Sequence, residues 1–396
     1  MANSISNKKI NIDCHLCGSH GLWVFYEITN VPTNCNLLWT NKNEAVNCPK
    51  GNIKLTYCPS CSFVTNIALE PMKNQYGDRY DDSLFYSPRF QTFAVNLTKS
   101  LVQRYDLRNK YIVEIGGGKV DFISLLIGLG NNRGIRIDPQ DSKHKESHSV
   151  ENASGYCLES NYPEKIDFIF SYCELEHINY PKIFLNNIKE HFSFNSNAHL
   201  FFAVPNALKD FQEGNFTNII YEHASYFTVP SLFYLFSVCG FDVLDVAESK
   251  NEVFDSIYVD AIPKSEKNSK FKPDFNHLKI ESFITSFAEK STNIIEKNTS
   301  KIKQLLDEKK RVFLWSAGSR GVTLLNILKD SRIEYAVDIN PNKQGKFVPG
   351  TGQKIVPPKF LIDNRPDYII LSNPVYENEI KQILTELKIK AEFILM

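Results

Sequence analysis

The sequence predicts an α/β protein: a Rossmann-like domain, a second Rossmann-like domain C-terminal to it, and a small zinc-binding β unit at the N-terminus. Three observations carry this prediction. The apolar run Tyr111-Ile-Val-Glu-Ile115 meets three glycines, Gly116 to Gly118; Phe122, Leu125, Leu126 and Leu129 then share one helical face, and a second apolar strand, Gly134-Ile-Arg-Ile-Asp138, ends on an acid. That order is a nucleotide-binding βαβ unit. It returns in Arg311-Val-Phe-Leu-Trp315, the loop Ser316-Ala-Gly-Ser-Arg-Gly321, a helix to about residue 329, and Ile333-Glu-Tyr-Ala-Val-Asp338. Finally, two C-x-x-C pairs, Cys14/Cys17 and Cys58/Cys61, stand 40 residues apart.

Each cysteine pair wraps a short turn and offers two thiolates, and two pairs complete a closed tetrahedral site. Gly18 suits the tight turn after the first pair. A redox pair or disulfides are the alternatives; two pairs in a cytosolic chain favour structural zinc, which folds the segment and does no chemistry. Cys35, Cys48, Cys157, Cys173 and Cys239 lack such spacing and read as small core or surface residues.

The elements follow in order. Residues 1–70 form the zinc-binding unit, with strands near 21–28, 53–57 and 62–67. Residues 71–263 form the first Rossmann-like domain. Its opening stretch, 71–95, is rich in tyrosine and phenylalanine and either lies over a pocket or simply wraps the surface. A helix near 90–106 leads into the glycine loop. Strands continue through Asp167–Ser171, Leu200–Val204, Phe241–Asp245 and Ser256–Asp260, with helices near 180–192 and 230–239. This alternation predicts a doubly wound sheet. The polar stretch Lys264–Pro273 is a linker. Residues 274–396 form the last domain, opening on a helix over about 275–309 whose Phe275, Leu278, Phe283, Phe287, Ile294, Ile295, Ile302 and Leu305 recur at three- and four-residue steps.

Composition narrows the class. The 396 residues are too many for one core. Lys+Arg and Asp+Glu both number 45, so net charge favours neither nucleic acid nor an anionic membrane as partner. No apolar stretch reaches the roughly 20 residues that span a bilayer, and the segment MANSISNKKINIDC has no apolar signal region. The expectation is a cytoplasmic protein, taken as a monomer from its Asn- and Lys-rich polar surface.

Gly116, Gly117 and Gly118 allow backbone to approach a ligand closely, and Asp138 can accept bonds from two ribose hydroxyls. NAD-binding proteins share this spacing. Glu114, in the form E-x-G-x-G, tilts the reading toward S-adenosylmethionine (SAM). A third glycine is common where this chain has Val120: either that position is already helical, or cofactor binding is weakened. In the second unit, Gly318, Ser319 and Arg320 suit an anion at a helix N-terminus, although such turns also serve packing. Asp338 could take a ribose or cap its strand.

Three longer stretches carry a resemblance. Tyr221-Glu-His-Ala-Ser-Tyr-Phe-Thr228 is similar to an E-H-x-S-Y-F motif, Trp315–Leu325 to a glycine-loop motif, and Asp338-Ile-Asn-Pro-Asn-Lys-Gln-Gly-Lys-Phe-Val-Pro-Gly-Thr351 to V-D-x-N-P-x-K-Q-G-x-x-x-P-G-T. With the order of parts, the whole chain resembles the three-domain sugar C-methyltransferases, SAM-dependent enzymes that methylate a ring carbon of nucleotide-linked 4-keto deoxysugars in antibiotic and surface-polysaccharide pathways.

The resemblance implies an enolate mechanism. A base removes the proton beside a ketone, and the enolate carbon attacks the SAM methyl. His223 matches the family's base, histidine having a pKa near neutrality, and Glu222 would orient or charge-tune its ring. His177, in Leu175-Glu-His-Ile178, matches a second active-site histidine that would polarise or protonate the keto oxygen; Tyr86 falls near a tyrosine that reaches the sugar. Tyr221 and Tyr226 are expected at the substrate, and Gly318, Ser319, Arg320 and Asp338 at its nucleotide. The chain departs from the family with Ile220-Tyr221 where Tyr-His is usual, and with Tyr172-Cys173 where one form has Arg-His. Two alternatives stay open: an O- or N-methyltransferase of the same architecture, and a non-catalytic member that binds a nucleotide sugar or a protein partner.

Overall fold

Strand Tyr111–Ile115 is buried at every position, as a parallel strand covered on both faces requires. The structure, a computed structural model, describes residues 8–70, 79–118, 121–138, 150–154, 165–249, 253, 255–263, 275 and 278–396. Val120, Cys157 and the linker 264–273 lie outside the described residues.

Tyr111–Ile115 sits inside a seven-stranded sheet ordered Phe241–Ser249, Ser256–Pro263, Phe194–Pro205, Ile166–Tyr172, Tyr111–Ile115, Arg133–Asp138, Val150–Ser154. Only Ser256–Pro263 runs antiparallel to its neighbours. Chain order reverses between Tyr111–Ile115 and Ile166–Tyr172, and the loops leaving their C-terminal ends flank the crevice where open sheets bind ligands. Those loops are the glycine run and Cys173–His177. The C-terminal unit repeats the plan with five parallel strands ordered Lys354–Val356, Tyr335–Val337, Val312–Trp315, Tyr368–Leu371, Glu392–Leu395. Its crevice opens between the loops after Trp315 and Leu371.

The N-terminal sheet is antiparallel: Lys8–Asp13, His20–Pro32, Lys50–Tyr57, Val64–Asn66 and, from far along the chain, Ser225–Tyr226. Its two cysteine turns have the same geometry. Gly18 N–H donates to Cys14 O at 2.8 Å and Ser62 N–H to Cys58 O at 2.9 Å, with φ of 76° at Gly18 and 58° at Ser62. Helix Ile280–Asp307 joins the units. Phe287 packs its ring against Phe25, Tyr26 and Phe211, and its far end places Leu305 in the same apolar cluster as Val322 of the C-terminal unit.

Segment 220–228 is seated on the N-terminal sheet by backbone and side-chain bonds together. Asn66 N–H and Thr65 Oγ1 donate to Ala224 O at 3.0 and 2.9 Å. Cys35 N–H donates to Glu222 Oε1 at 2.8 Å, and Glu70 N–H to the Tyr221 hydroxyl at 2.9 Å. The Tyr221 ring is fully buried and lies flush on Gly51: a Cβ there would stand 2.1 Å from Tyr221 Cε2. With the hydroxyl pinned, the ring cannot slide away. Gly51→Ala is therefore expected to destabilise the protein by about 2–3 kcal/mol through overpacking, read as a lower denaturant midpoint. A wild-type midpoint would show that the contact yields.

Candidate active site

A cavity of about 260 Å³ lies where the three units meet. The glycine loop and the segment after Ile166–Tyr172 line one wall with Gly117, Gly118, Cys173, Glu174, Glu176 and His177; Tyr80, Asp82, Leu84 and Phe90 add to it. The aromatic stretch 71–95 thus reaches the pocket through its described residues. A second wall carries Asn218, Ile220 and His223. The third comes from the C-terminal unit: Ser316, Gly318, Ser319, Arg320, Lys343 and Tyr376.

The glycine wall is crowded with carboxylates. Gly116, Gly117 and Gly118 all have positive φ, and a Cβ on them would collide with Glu174, Glu114 and Asp82 respectively. Glu114 and Asp138 lie behind the loop. Glu114 Oε2 accepts from Arg136 Nε at 3.0 Å, and Asp138 Oδ2 accepts the Gly118 N–H at 2.7 Å. Burial raises this group of acids. Asp82 is pushed up to about 6 by desolvation, with Asp138 and Asp81 adding repulsion and Lys343 opposing it. Glu114 reaches about 7 through burial despite Arg136. Glu174 rises well above the usual carboxylate range through burial and then through Asp138, Glu176, Asp82 and Glu114. Such a wall holds protons until a cation joins it.

The C-terminal wall has the opposite character. Its glycine loop opens helix Ser319–Leu328, Arg320 Nε donates to Asn218 Oδ1 at 2.7 Å, and Lys343 Nζ donates to Asn36 Oδ1 at 2.9 Å. Asp338 braces this loop as Asp138 braces the other: its carboxylate accepts the N–H of Ala317 and of Asn340, each at 2.9 Å.

The two histidines meet edge to face with ring centroids 4.9 Å apart. His177 Nδ1 lies 3.1 Å from the Glu222 carbonyl. A carbonyl only accepts, so Nδ1 carries the hydrogen and Nε2 of the neutral ring is an acceptor. Burial lowers His177 to about 4 and, with His177 beside it, pulls His223 well below the ordinary histidine range; both are neutral at pH 7. A neutral His177 in this tautomer cannot donate to a keto oxygen, which corrects that part of its expected role.

Other expected residues sit elsewhere. Tyr86 is 40% exposed, with Asn342 Nδ2 donating to its hydroxyl at 3.3 Å; Tyr80, from the same segment, lines the cavity. Tyr221 is the buried spacer on Gly51. Tyr226 bonds Ile220 through its hydroxyl and sets its ring 5.5 Å from that of His223. Glu222 is fully buried, its carboxylate turned to Cys35. Glu174, Glu176, Cys173, Asn218 and Lys343 were not anticipated. Lys343 fills the fixed Lys of the V-D-x-N-P-x-K-Q-G motif, a signal that could have found it, whereas nothing in Leu175-Glu-His-Ile178 distinguishes Glu176.

The four paired cysteines converge with Sγ atoms within 4.8 Å of one another, Cys14–Cys61 at 3.7 Å and Cys17–Cys58 at 3.6 Å. A tetrahedral ion with Zn–S bonds of about 2.3 Å sets sulfurs about 3.8 Å apart, so this donor set fits zinc.

Comparison with known families accounts for both α/β units. Residues 89–246 match the family model of a methyltransferase domain, and residues 250–396 that of a C-methyltransferase C-terminal domain. No curated protein matches the chain. Among solved structures, a SAM-dependent methyltransferase from Clostridium acetobutylicum is similar at 9% identity and TM-score 0.36, covering 46% of this chain and 96% of its own. The 1,6-didemethyltoxoflavin-N1-methyltransferase of Burkholderia thailandensis is similar at 13% identity and TM-score 0.33, covering 46% and 86%. A SAM-dependent methyltransferase from Mesorhizobium loti is similar at 11% and TM-score 0.32, covering 41% and 95%. The chain is a methyltransferase with a C-terminal domain of the C-methyltransferase type.

The carboxylate wall fits SAM, whose sulfonium and ammonium groups are cations. Asp82, raised to about 6, and Glu174, raised well above the usual carboxylate range, line the cavity and would shed protons to meet them. Binding therefore releases protons, and affinity climbs with pH. Calorimetric titration is expected to show SAM tightening roughly three- to tenfold from pH 6 to pH 8, and the uncharged thioether product changing less. Equal slopes for the two ligands would remove the sulfonium from this wall.

Proposed function

We propose that this enzyme C-methylates a nucleotide-linked keto deoxysugar through an enolate formed by His223. One observation supports this reading most: a single cavity joins a carboxylate-lined glycine loop, a pair of neutral buried histidines, and a second glycine loop flanked by Arg320 and Lys343. A cationic cofactor suits the first, and an anionic diphosphate the last. The reacting carbon then falls beside the histidines.

When bound, SAM supplies an electrophilic methyl. Carbon is not nucleophilic enough to take it, so the chain must first make an enolate. Neutral His223 would accept the proton from the carbon next to the ketone, and the C–H electron pair would become an enolate placed to receive the methyl that SAM would supply. His177, its Nδ1–H held by the Glu222 carbonyl, presents Nε2 as acceptor to a sugar hydroxyl and so fixes the ring. Arg320, oriented by Asn218, and the N–H groups at Gly318 and Ser319 receive the diphosphate. Asp138 and Asp338 hold the two loops in shape. We assign the four-cysteine site to structural zinc, which fastens the sheet on which segment 220–228 rests.

His223→Ala is expected to lower turnover by about 10²–10⁴ and to abolish deuterium exchange from solvent into the carbon beside the ketone, measured by NMR with the product cofactor bound. Methylation without any such exchange in the wild type would favour the oxygen or nitrogen acceptor. For the metal, elemental analysis is expected to find one zinc per chain. Cys58→Ser should lose it, together with the near-ultraviolet circular dichroism of the N-terminal sheet and the activity. Full activity in zinc-free protein would overturn the structural assignment.

A further inference from the structure

An enolate needs a hydrogen-bond donor at its oxygen, and the histidines leave that place open. His177 is committed through Nδ1 to the Glu222 carbonyl and His223 is the base. Tyr221 and Tyr86 lie off the cavity. Glu222, next to the base in sequence, turns its carboxylate to the Cys35 N–H.

Glu176 has the geometry that these groups lack. It lines the cavity with His177 and His223, and its side chain is 2% exposed. Its Oε2 has no hydrogen-bond partner among the described residues, which is costly for a buried polar atom. A carboxylate oxygen of Glu176 and ring nitrogens of His177 and His223 all lie within 4.8 Å of one another. Glu176 Oε2 makes no hydrogen bond to either ring among the described residues. The span suits a ketone and its neighbouring carbon set between them, with the base on the C–H and the acid on the oxygen.

We propose that Glu176, as a neutral carboxylic acid, donates its proton in a hydrogen bond to the keto oxygen and stabilises the enolate that His223 forms. The inference rests on the enolate reading of the same site. The proton stays on Glu176 or shifts to the enolate oxygen, and it returns when the carbonyl re-forms on methyl transfer; no other reactant is required. The surroundings favour the protonated acid. Burial raises Glu176 to about 8. The titratable groups that share its two cavities are Tyr172, Cys173, Glu174 and His177 from its own segment, His223 and Tyr226, Asp210 at a second cavity of about 10 Å³, and Tyr80, Asp82, Asp255, Arg320, Lys343 and Tyr376 in the main cavity. Acids outnumber cations among them.

The test compares Glu176→Gln, which keeps an N–H donor in the same shape, with Glu176→Ala. The Ala variant is expected to lose about 10²–10³ in kcat with little change in KM, and to lose solvent-deuterium exchange at the substrate carbon in step. The Gln variant should retain more of both. In the wild type kcat should fall as pH rises through about 8, where Glu176 gives up its proton, and that descending limb should vanish in Gln. Calorimetric binding of the product cofactor certifies each variant as folded. Unchanged exchange in Ala would overturn the proposal, as would a Gln variant that moves the ascending limb, since Glu176 would then act as an anion on His223. A second zinc bound by the wild type and lost in Gln would make Glu176 a metal ligand and overturn it equally. If His223→Ala retains exchange, the enolate base itself is wrong; if it loses exchange and Glu176→Ala does not, only the donor is wrong.

Discussion

The active site depends on one seating, that of residues 220–228 against the zinc-binding sheet. Two residues of this segment, Ser225 and Tyr226, pair with Thr65 and Val64, and from that short strand the chain places His223 on one side and Glu222 on the other. A two-residue strand has little stability of its own. It is fixed by what surrounds it: Ala224 O takes two donors from the sheet, Tyr221 fills the space over Gly51, and Thr228 caps the helix Val229–Val238 while donating to Ser62 O beside the second cysteine turn. The four-cysteine cluster thus lies next to the anchor of the residue proposed as the base. Glu222 shows what the arrangement costs. Its carboxylate is fully buried with a single backbone donor, and desolvation raises it to about 7.

Electrostatics divide the cavity in a way that matches two ligands of opposite charge. The same device shapes both ends: an aspartate at the end of the second strand of each βαβ unit accepts a backbone N–H from the loop after the first strand, Asp138 from Gly118 and Asp338 from Ala317. What surrounds each loop then sets its preference. Acids crowd the first, where Arg136 neutralises Glu114 from behind and leaves the inner face negative. Arg320 and Lys343 stand at the second. Similar local folds thus present acids to the cavity in one place and cations in the other, the division on which the proposed binding of a sulfonium and a phosphate rests.

Much of this could be read from local sequence patterns. Buried parallel strands are short apolar runs, and helices such as Pro88–Arg104 and Ile280–Asp307 repeat apolar residues at three- and four-residue steps, so period and punctuation locate them. The glycine loops and paired cysteines are equally local. Elements fixed by partners distant in sequence were not legible. Lys8–Asp13 is an edge strand of mostly exposed residues, and its alternation, Ile10-Asn11-Ile12, is too short to mark a strand by itself. Ser225–Tyr226 exists only because Val64–Asn66 is beside it. Motif membership was also a poor guide to direction: Tyr221 and Glu222 lie next to His223 in sequence, yet their side chains turn into the N-terminal unit. Glu176 was passed over for the opposite reason, because a glutamate before a histidine looks ordinary until the fold leaves its Oε2 without a hydrogen-bond partner among the described residues.

The departures Tyr172 and Cys173 also take on physical meaning in place. Tyr172 is packed among Phe93, Phe122 and Phe170, and Cys173 lines the cavity in a left-handed conformation beside Glu174. Where an Arg-His pair would bring a cation, these two positions hold a buried aromatic ring and a thiol. Burial keeps both imidazoles neutral, as a base would require, but it also lowers the pKa of His223 and would weaken it as a base. The same low dielectric strengthens any hydrogen bond to the developing enolate. The loss at the base and the gain at the oxygen have one cause, and on the proposed enolate reading such a site would work only if a donor stood at the oxygen when the proton left carbon.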